Sequence, residues 1–304
     1  VDFTAFRGRV DLSADYYIKN TDNLLLDITK APSVGVTTSR ENIGEVQNSG
    51  FELRLRTFPI QNKDWQWSLG LTYAYNKNKI KKISNSLREQ NEKNKADNGV
   101  APLPIYEEGQ SLTALKVVPS AGIDPVTGQE IFIKRDGTYT FVYDSNDKVI
   151  FGDTNPIGTG SINSYLTYKR FALSCSFLYS FGGSLYNETL ATKVEGANPK
   201  YNADERVLND RWKTPGTIAK YKRIDDTTTP YQTSRFVEKN NFLRMSSLSL
   251  SYEVPTTFIQ KYGLKRMFLE LLTNDLFYLS TAKRERGLNY PYDRSFEFSV
   301  RFSL

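Results

Sequence analysis

Asp144 and the three residues after it come closest, in type and spacing, to a metal-binding loop in this chain. A calcium loop of that kind needs a glycine at its sharp turn and a bidentate glutamate at its end. Val149 and Asn155 stand at those two positions. We therefore interpret residues 144–147 as a turn, and we expect no metal and no cofactor.

The residue types that carry most enzyme chemistry are missing. Histidine is absent and cysteine occurs once, at Cys175. A Ser-His-Asp triad, a Cys-His pair, a His-ligated zinc site and an intrachain disulfide are thereby excluded. The 34 acidic residues leave carboxylate catalysis open, but no pair is singled out by its spacing. The sequence predicts no enzyme and no catalytic residue.

The charge and hydropathy of the chain narrow the classes of protein to which it could belong. The net charge is +6, but lysine and arginine are interspersed with acidic residues, so we predict no nucleic-acid partner. Mean hydropathy is −0.50, and no apolar run approaches the ~20 residues of a membrane helix. A β-barrel stays open because its strands are half polar. Aromatic residues make up 13% of the chain, which suits a barrel's interfacial girdles and also an aromatic-rich sandwich.

Apolar residues recur at every second position in about eight segments. The last runs to the final residue, with Phe296, Phe298, Val300, Phe302 and Leu304 on one face and Ser295, Glu297, Ser299, Arg301 and Ser303 on the other. The others lie at 10–17, 51–56, 65–76, 161–168, 171–182, 248–254 and 267–271. Successive strand side chains point to opposite faces, so the pattern predicts strands with one lipid-compatible face and one polar face.

The connections between these segments alternate between short and long. Residues 58–64, 169–170 and 255–264 are short, and residues 20–45, 77–160, 183–241 and 275–293 are long. Outer-membrane barrels have short periplasmic turns and long extracellular loops, so we predict that all four long connections are extracellular. Within them, Arg135-Asp136-Gly137 signals a hairpin. Residues 203–212 predict a short helix with Asn202 as its cap.

Several motifs follow one another in a specific order: NIGEVQNSGFE at residues 42–52, WQW at 65–67, YNKNKI at 75–80, GIDPVTG at 122–128, GDTNP at 152–156, RWKTPG at 211–216, SRFVE at 234–238 and NDLF at 274–277. This succession resembles the C-terminal barrel of SusC/RagA-type TonB-dependent transporters of Bacteroidetes. The resemblance implies an all-β fold, an antiparallel transmembrane β-barrel in the bacterial outer membrane. The chain would supply about eight C-terminal strands of a 22-strand type of barrel.

The resemblance also implies what lies outside the chain. Residues 1–304 would be part of one barrel domain, with the plug and the N-terminal strands elsewhere. Residues 1–3 resemble the end of a preceding strand and residues 5–9 the periplasmic turn after it, so we expect the strand at 10–17 not to pair with the terminal one. The chain departs from the family by ending on Ser303-Leu304 rather than on an aromatic residue.

The implied function is a nutrient importer for oligosaccharides or peptides. Its partners would be a SusD-like surface lipoprotein, TonB acting through the missing N-terminal part, and outer-membrane lipid. The residues alone leave two alternatives open, a glycan-binding β-sandwich and a self-contained eight-stranded structural or adhesive barrel.

Four residues are candidates for substrate contact. Asn76 and Asn78 fall on the polar phase of their strand near its extracellular end, and Tyr201 and Trp212 lie in an extracellular loop where they could stack on a ligand. Trp65 and Trp67 alternate in phase with leucines, which favours an interfacial girdle. In the same strand we expect lipid contact for Trp67, Leu69, Leu71 and Tyr73, and a lumen-facing position for Gly70 and Thr72.

Overall fold

A computed structural model describes residues 1–29, 38–198, 200–201, 203–285 and 294–303. Its strands are β1 (Asp2–Ala5), β2 (Val10–Thr29), β3 (Thr38–Gln61), β4 (Trp65–Ile83), β5 (Ala114–Val117), β6 (Ser120–Ile123), β7 (Glu130–Ile133), β8 (Tyr139–Thr140), β9 (Val149–Asp153), β10 (Gly158–Tyr168), β11 (Phe171–Tyr186), β12 (Val237–Glu253), β13 (Arg266–Asn274), β14 (Tyr278–Ser280) and β15 (Phe296–Ser303). Its α-helices are α1 (Asn85–Ala96), α2 (Arg206–Asn209) and α3 (Thr256–Ile259), and a π-helical turn spans Leu190–Glu195.

Within the described residues, ten strands form one antiparallel sheet in the order β1-β2-β3-β4-β10-β11-β12-β13-β15, with β14 paired to β12. All eight predicted segments lie in this sheet. The structure has a strand at β1 and a turn after it, where the sequence predicted a strand at residues 1–3 and a turn at residues 5–9. β2 is bonded on both sides, to β1 and to β3, so it does not pair with β15. A self-contained eight-stranded barrel closed by that pairing is therefore wrong.

The register gives the sheet two distinct faces, because directly paired residues lie on the same side. One row of paired residues crosses seven strands and is entirely apolar: Phe3, Leu12, Leu55, Leu71, Ile162, Phe177 and Met245. A row on the other phase crosses eight strands and is entirely polar or glycine: Thr4, Asp11, Arg56, Gly70, Asn163, Ser176, Ser247 and Asn274. We call these two sides the apolar face and the polar face. The period-two alternation predicted both.

The apolar face is not the core of a sandwich. Leu250, Leu271 and Phe298 form one cross-strand row on it, and their exposed fractions are 46%, 48% and 68%. In a sandwich these side chains would interdigitate with a second sheet. One buried apolar cluster of the described residues instead joins the ends of β3 and β4 to α1, and the other lies in the connection between β11 and β12. The sandwich alternative is therefore wrong.

Three strands are longer than the sequence predicted. β2, β3 and β4 have 20, 24 and 19 residues, whereas about 9–11 residues suffice to cross a bilayer. The expectation that residues 20–45 form a long loop is wrong, because β2 and β3 stay paired up to Thr29 and from Thr38. The asparagine and threonine residues of this stretch led us to expect a loop. Such polar side chains can also form hydrogen bonds across two solvated, paired strands. Gln47 Nε2, for example, donates to Asn20 Oδ1 at 3.0 Å.

The connections after β4 and β11 fold together into what we call the loop body, the described residues of 84–157 and 187–236. It contains, among these residues, the sheets β5-β9 and β6-β7-β8. The predicted hairpin is confirmed, with Gly137 at φ +84° in the turn between β7 and β8. Residues 144–147 form a turn in which the Asp144 side chain accepts from the Asn146 N–H. The helix expected at 203–212 is limited to α2, and its proposed cap Asn202 lies outside the described residues.

Helix α1 is fixed at both ends. The Ser84 side chain caps its first turn by accepting from the Leu87 N–H, and Leu87 is buried against Val46 and Ile80. At the other end the buried Lys148 Nζ donates to the carbonyl of Asp97 at 2.9 Å. No helix among the described residues is long and apolar enough to span a membrane.

Candidate functional site

The two asparagine candidates lie where strand β4 meets the loop body. Asn76 Oδ1 accepts from the Tyr17 hydroxyl at 3.2 Å, and its backbone carbonyl accepts from Asn155 Nδ2 at 2.7 Å. Asn78 Oδ1 accepts from the Leu112 N–H at 2.6 Å and from the Ser111 hydroxyl at 3.0 Å. These contacts tie the outer end of β4 to the loop body. Substrate contact by either residue remains a prediction.

Trp212 joins two turns of the loop body. Its Nε1 donates to the Pro125 carbonyl at 2.9 Å, and the ring covers Gly128 so closely that a Cβ there would lie 2.6 Å from Trp212 Cδ2. Arg223 lies over the ring, with its guanidinium carbon 5.9 Å from the ring centroid. Tyr201, by contrast, is 75% exposed. The four candidates share no bonding partner among the described residues, so the structure does not assemble them into one site.

Arg235 forms the most buried charge cluster of the loop body, which the sequence did not reveal. Its guanidinium donates to both carboxylate oxygens of Glu130, at 2.7 and 2.6 Å, and to both of Glu195, at 2.6 and 2.8 Å. It also donates to the Lys220 carbonyl at 2.8 Å. Burial alone lowers the pKa of Arg235, but the two carboxylates outweigh burial and hold the pKa above its ordinary value.

Arg211 is the second buried arginine of the loop body. Its guanidinium donates to backbone carbonyls, including those of Val194 at 2.6 Å, Glu195 at 2.8 Å and Val207 at 3.2 Å. Burial lowers its pKa. Because Glu195 is held through its carboxylate by Arg235 and through its carbonyl by Arg211, the π-helical turn is fixed from two sides.

The segment that enters β12 collects many of these contacts. Tyr231 stacks on Tyr143, with ring centroids 4.2 Å apart. Gln232 Nε2 donates to Asp97 Oδ2 at 3.0 Å, and the Ser234 N–H donates to the Val118 carbonyl at 3.0 Å. Residues 231–236 therefore connect the loop body to a strand of the main sheet. The sequence showed the motif SRFVE at residues 234–238, but the motif alone does not indicate which distant residues this segment contacts.

The fold and its two faces define a class of protein. An antiparallel sheet with an uncovered apolar face, a polar face, short turns at one end and a large folded loop body at the other is the wall of an outer-membrane β-barrel.

Comparisons with known proteins show what the chain is similar to. The model of the family "TonB dependent receptor-like, beta-barrel" matches residues 1–108. TonB-dependent receptor P3 of Formosa agariphila is 29% identical over 290 residues, which cover 88% of this chain and 28% of that protein. TonB-dependent receptor SusC of Bacteroides thetaiotaomicron is 26% identical over 263 residues, which cover 83% of this chain and 25% of SusC. These matches confirm the resemblance of the chain to part of the barrel of SusC/RagA-type TonB-dependent receptors.

A solved structure supports the fold. The RagAB peptide transporter superposes with a TM-score of 0.82 at 21% sequence identity, over 99% of this chain and 34% of that one. The partial, antiparallel barrel predicted from the sequence is thereby confirmed. The chain spans about a third or less of the length of the proteins that it matches.

Proposed function

We propose that the chain forms barrel wall and extracellular loops of a nutrient importer that moves oligosaccharides or peptides across the outer membrane. The observation that carries the proposal is the pair of rows through Leu71 and Gly70, one apolar and one polar, which run side by side across at least seven strands. Such a wall suits lipid outside and an aqueous or protein-filled lumen inside. In this reading residues 1–304 are part of one barrel domain.

The proposed partners follow from the loop body and from the relatives. A SusD-like lipoprotein would cover the extracellular side, and TonB would act through parts of the transporter outside this chain, which also supply the plug and the remaining strands. The tight internal bonding of the loop body supports a preformed docking surface for such a lid. RagAB is described as a peptide transporter, which supports peptides as one candidate cargo here.

The proposed activity is transport without bond cleavage. The substrate-contact candidates remain Asn76, Asn78, Tyr201 and Trp212. Tyr201 has the most accessible ring of the two aromatic candidates, since Trp212 is engaged with Pro125 and Gly128. We therefore propose that Tyr201 stacks on cargo and that Trp212 shapes the loop.

The proposal is tested in the source bacterium with a tagged full-length transporter. We expect it to fractionate with the outer membrane and to co-purify in mild detergent with a surface lipoprotein. We also expect a deletion strain to lose growth on one oligosaccharide or peptide mixture as sole carbon source and to regain it on complementation. Recovery of the transporter in the soluble fraction, or unchanged growth and no lipoprotein partner, would refute the proposal.

A further inference from the structure

Two arginines on the polar face form no ion pair among the described residues, although Asp11 lies directly opposite Arg56 across the strands. Arg54 and Arg56 are both exposed on β3, two residues apart and hence on the same face. Neither forms an ion pair within the part of the chain that the structure describes. Phe58 supports Arg56, whose guanidinium carbon lies 4.7 Å from the ring centroid. Arg56 is thus supported at the wall, and neither guanidinium group donates a hydrogen bond within the described residues.

A hollow of about 290 Å³ opens beside this pair. It is lined on the polar face by Arg54, Arg56, Ser68, Gly70, Thr72 and Asn163. Gly70 is paired with Arg56 on one side and with Asn163 on the other, so the missing side chain opens the gap between them. A Cβ at Gly70 would meet its nearest neighbour at 3.8 Å, an ordinary contact. The backbone would therefore accept a larger residue at this position. The hollow exists because Gly70 has no side chain to fill it.

The charges next to the hollow limit what it can take. One step along β3, Glu52 is paired across the strands with Asp15, and both border an adjoining hollow of about 320 Å³ that also reaches Arg54. A polyanion would meet these carboxylates as well as the arginines and be repelled. A neutral glycan would leave Arg54, which is paired with Ser13 and Thr72, without a counter-charge. A polypeptide carries both signs at short spacing and fits both neighbours.

We propose that Arg54, Arg56 and the hollow at Gly70 form a binding site for a carboxylate side chain, carried by a polypeptide segment of the same transporter that packs against the polar face. The proposal rests on the proposed function, since it needs a lumen to fill. The proteins that this chain matches are about three to four times its length, so a segment long enough to pack there is available in them. Guanidinium groups bind carboxylates through paired hydrogen bonds, which fixes the position of the docked segment.

The test uses the purified full-length transporter and limited proteolysis in increasing urea, with sites outside the barrel wall followed by mass spectrometry. The variants are Arg54→Gln/Arg56→Gln and Arg54→Lys/Arg56→Lys, and the control is Arg9→Gln/Arg170→Gln, which removes the same charge at two turns. We expect the glutamine pair to be cleaved about tenfold faster, the order of a lost charge-assisted hydrogen bond, since a carboxylate is then left buried without its partner. The lysine pair should lie between it and the unchanged protein, and the control should be unchanged.

The direction of the change in cleavage rate distinguishes a docked carboxylate from a segment that only covers the arginines. If the arginines were covered without a carboxylate, their removal would relieve uncompensated charge and slow cleavage. Cleavage unchanged or slowed in the glutamine pair therefore overturns the proposal. The transporter could also resist proteolysis only when a free aspartate-containing peptide is added. That result would mean that the site binds a soluble peptide, and it would overturn the proposal that a segment of the same transporter supplies the carboxylate. Because the readout does not involve uptake, a failed growth assay and a failed docking site remain distinguishable.

A second variant tests the hollow itself. Gly70→Leu fills the space and keeps both arginines, so we expect it to speed cleavage as the glutamine pair does. Gly70→Ala adds only a Cβ with room around it and serves as the matched control. Equal cleavage of Gly70→Leu and the unchanged transporter would show that nothing packs into the hollow and would overturn the proposal.

Discussion

Arg235 and Glu195 form a two-point ion pair, with Nη1 2.6 Å from Oε2 and Nη2 2.8 Å from Oε1, and the Glu195 side chain is fully covered. The same guanidinium holds both oxygens of Glu130, 105 positions away in the chain. A buried arginine shared by two carboxylates closes the loop body as one unit. Removing one partner of such a cluster costs more than the pair itself contributes, because the remaining charges stay buried.

We expect Arg235→Met to destabilise the loop body by about 3–5 kcal/mol, because Glu130 and Glu195 would be left facing each other without a counter-charge. Hydrogen exchange of the full-length transporter in detergent should speed up together in β7, in the π-helical turn and around Lys220. The strands of the main sheet should keep their protection.

The exposed pair Arg88 and Glu108 gives the control for that experiment. Its Nη2 to Oε1 distance is 3.0 Å, but both side chains are about half exposed, so Arg88→Met should cost about 0–1 kcal/mol. Arg235→Met/Glu130→Gln/Glu195→Gln should recover part of the lost protection, since it removes the buried charges. Faster exchange confined to residues next to 235 would contradict a shared unit.

Tyr143 should make the loop body sensitive to alkali. Burial raises the pKa of its hydroxyl above the ordinary value of 10.0, and that hydroxyl has no hydrogen-bond partner among the described residues. Above pH 10 the unfolded state loses its proton while the folded state keeps it, so stability falls as pH rises. Tyr143→Phe should flatten the fall measured by hydrogen exchange at pH 9 to 11.

A residual fall should remain in Tyr143→Phe, because burial also raises the pKa of Tyr221, to about 12. At neutral pH the variant should be as stable as the unchanged protein or slightly more so, since it removes an unpaired buried hydroxyl. A large loss of stability at pH 7 would show that the hydroxyl has a partner and would refute this account.

Asn78 should anchor the loop body through its hydrogen bonds to residues 111 and 112. Asn78→Ala removes the acceptor for Leu112 N–H and Ser111 Oγ, and we expect a loss of about 1–2 kcal/mol, seen as faster exchange at residues 111–113. Asn78→Asp keeps an acceptor and should retain most of the protection. If both variants lost cargo uptake while the exchange of 111–113 stayed unchanged, a direct substrate contact would replace the anchoring role.

The sheet could be predicted from the sequence because alternate residues of each strand lie on opposite faces, one apolar and one polar. Trp65 to Asn76 shows one phase with tryptophan, leucine and tyrosine, and lipid exposure demands this whatever the neighbouring strands are. Strand ends were predicted less well. Outside the bilayer both faces of β2 and β3 meet water, so the alternation stops although the backbone pairing continues to residues 29 and 38.

The loop body could not be predicted for a different reason. Arg235 sits in a motif, but its partners Glu130 and Glu195 are two ordinary glutamates among many, and only the fold brings them together. The sequence singled out Asn76, Asn78 and Trp212 as candidates for substrate contact. Their contacts with Tyr17, Leu112 and Pro125 show that a polar or aromatic residue in a loop can be there to fold it.

Strand β4 of the wall offers a direct comparison of its two faces. Arginine at Leu71 should cost about 2–4 kcal/mol of barrel stability, the cost of a midplane charge facing lipid. Arginine at Thr72, on the polar face beside Ser161, should cost much less unless it strikes a packed segment. Heat-modifiable migration of the two variants in outer-membrane fractions would measure assembly. Equal tolerance of both would contradict a lipid-facing stripe.

The central claim, that the apolar face meets lipid, is tested most directly by spin labelling at neighbouring positions of β11. Cys175 is the single cysteine of this chain and pairs with Leu248 on the apolar face, whereas Ser176 pairs with Ser247 on the polar face. In the full-length transporter in lipid bilayers, freed of any other cysteine, a nitroxide on Cys175 should collide with oxygen far more than with a water-soluble nickel complex. A nitroxide on Ser176→Cys, in a Cys175→Ser background, should lack that preference for oxygen. The same accessibility at both positions, or a nickel preference at Cys175, would contradict the membrane barrel.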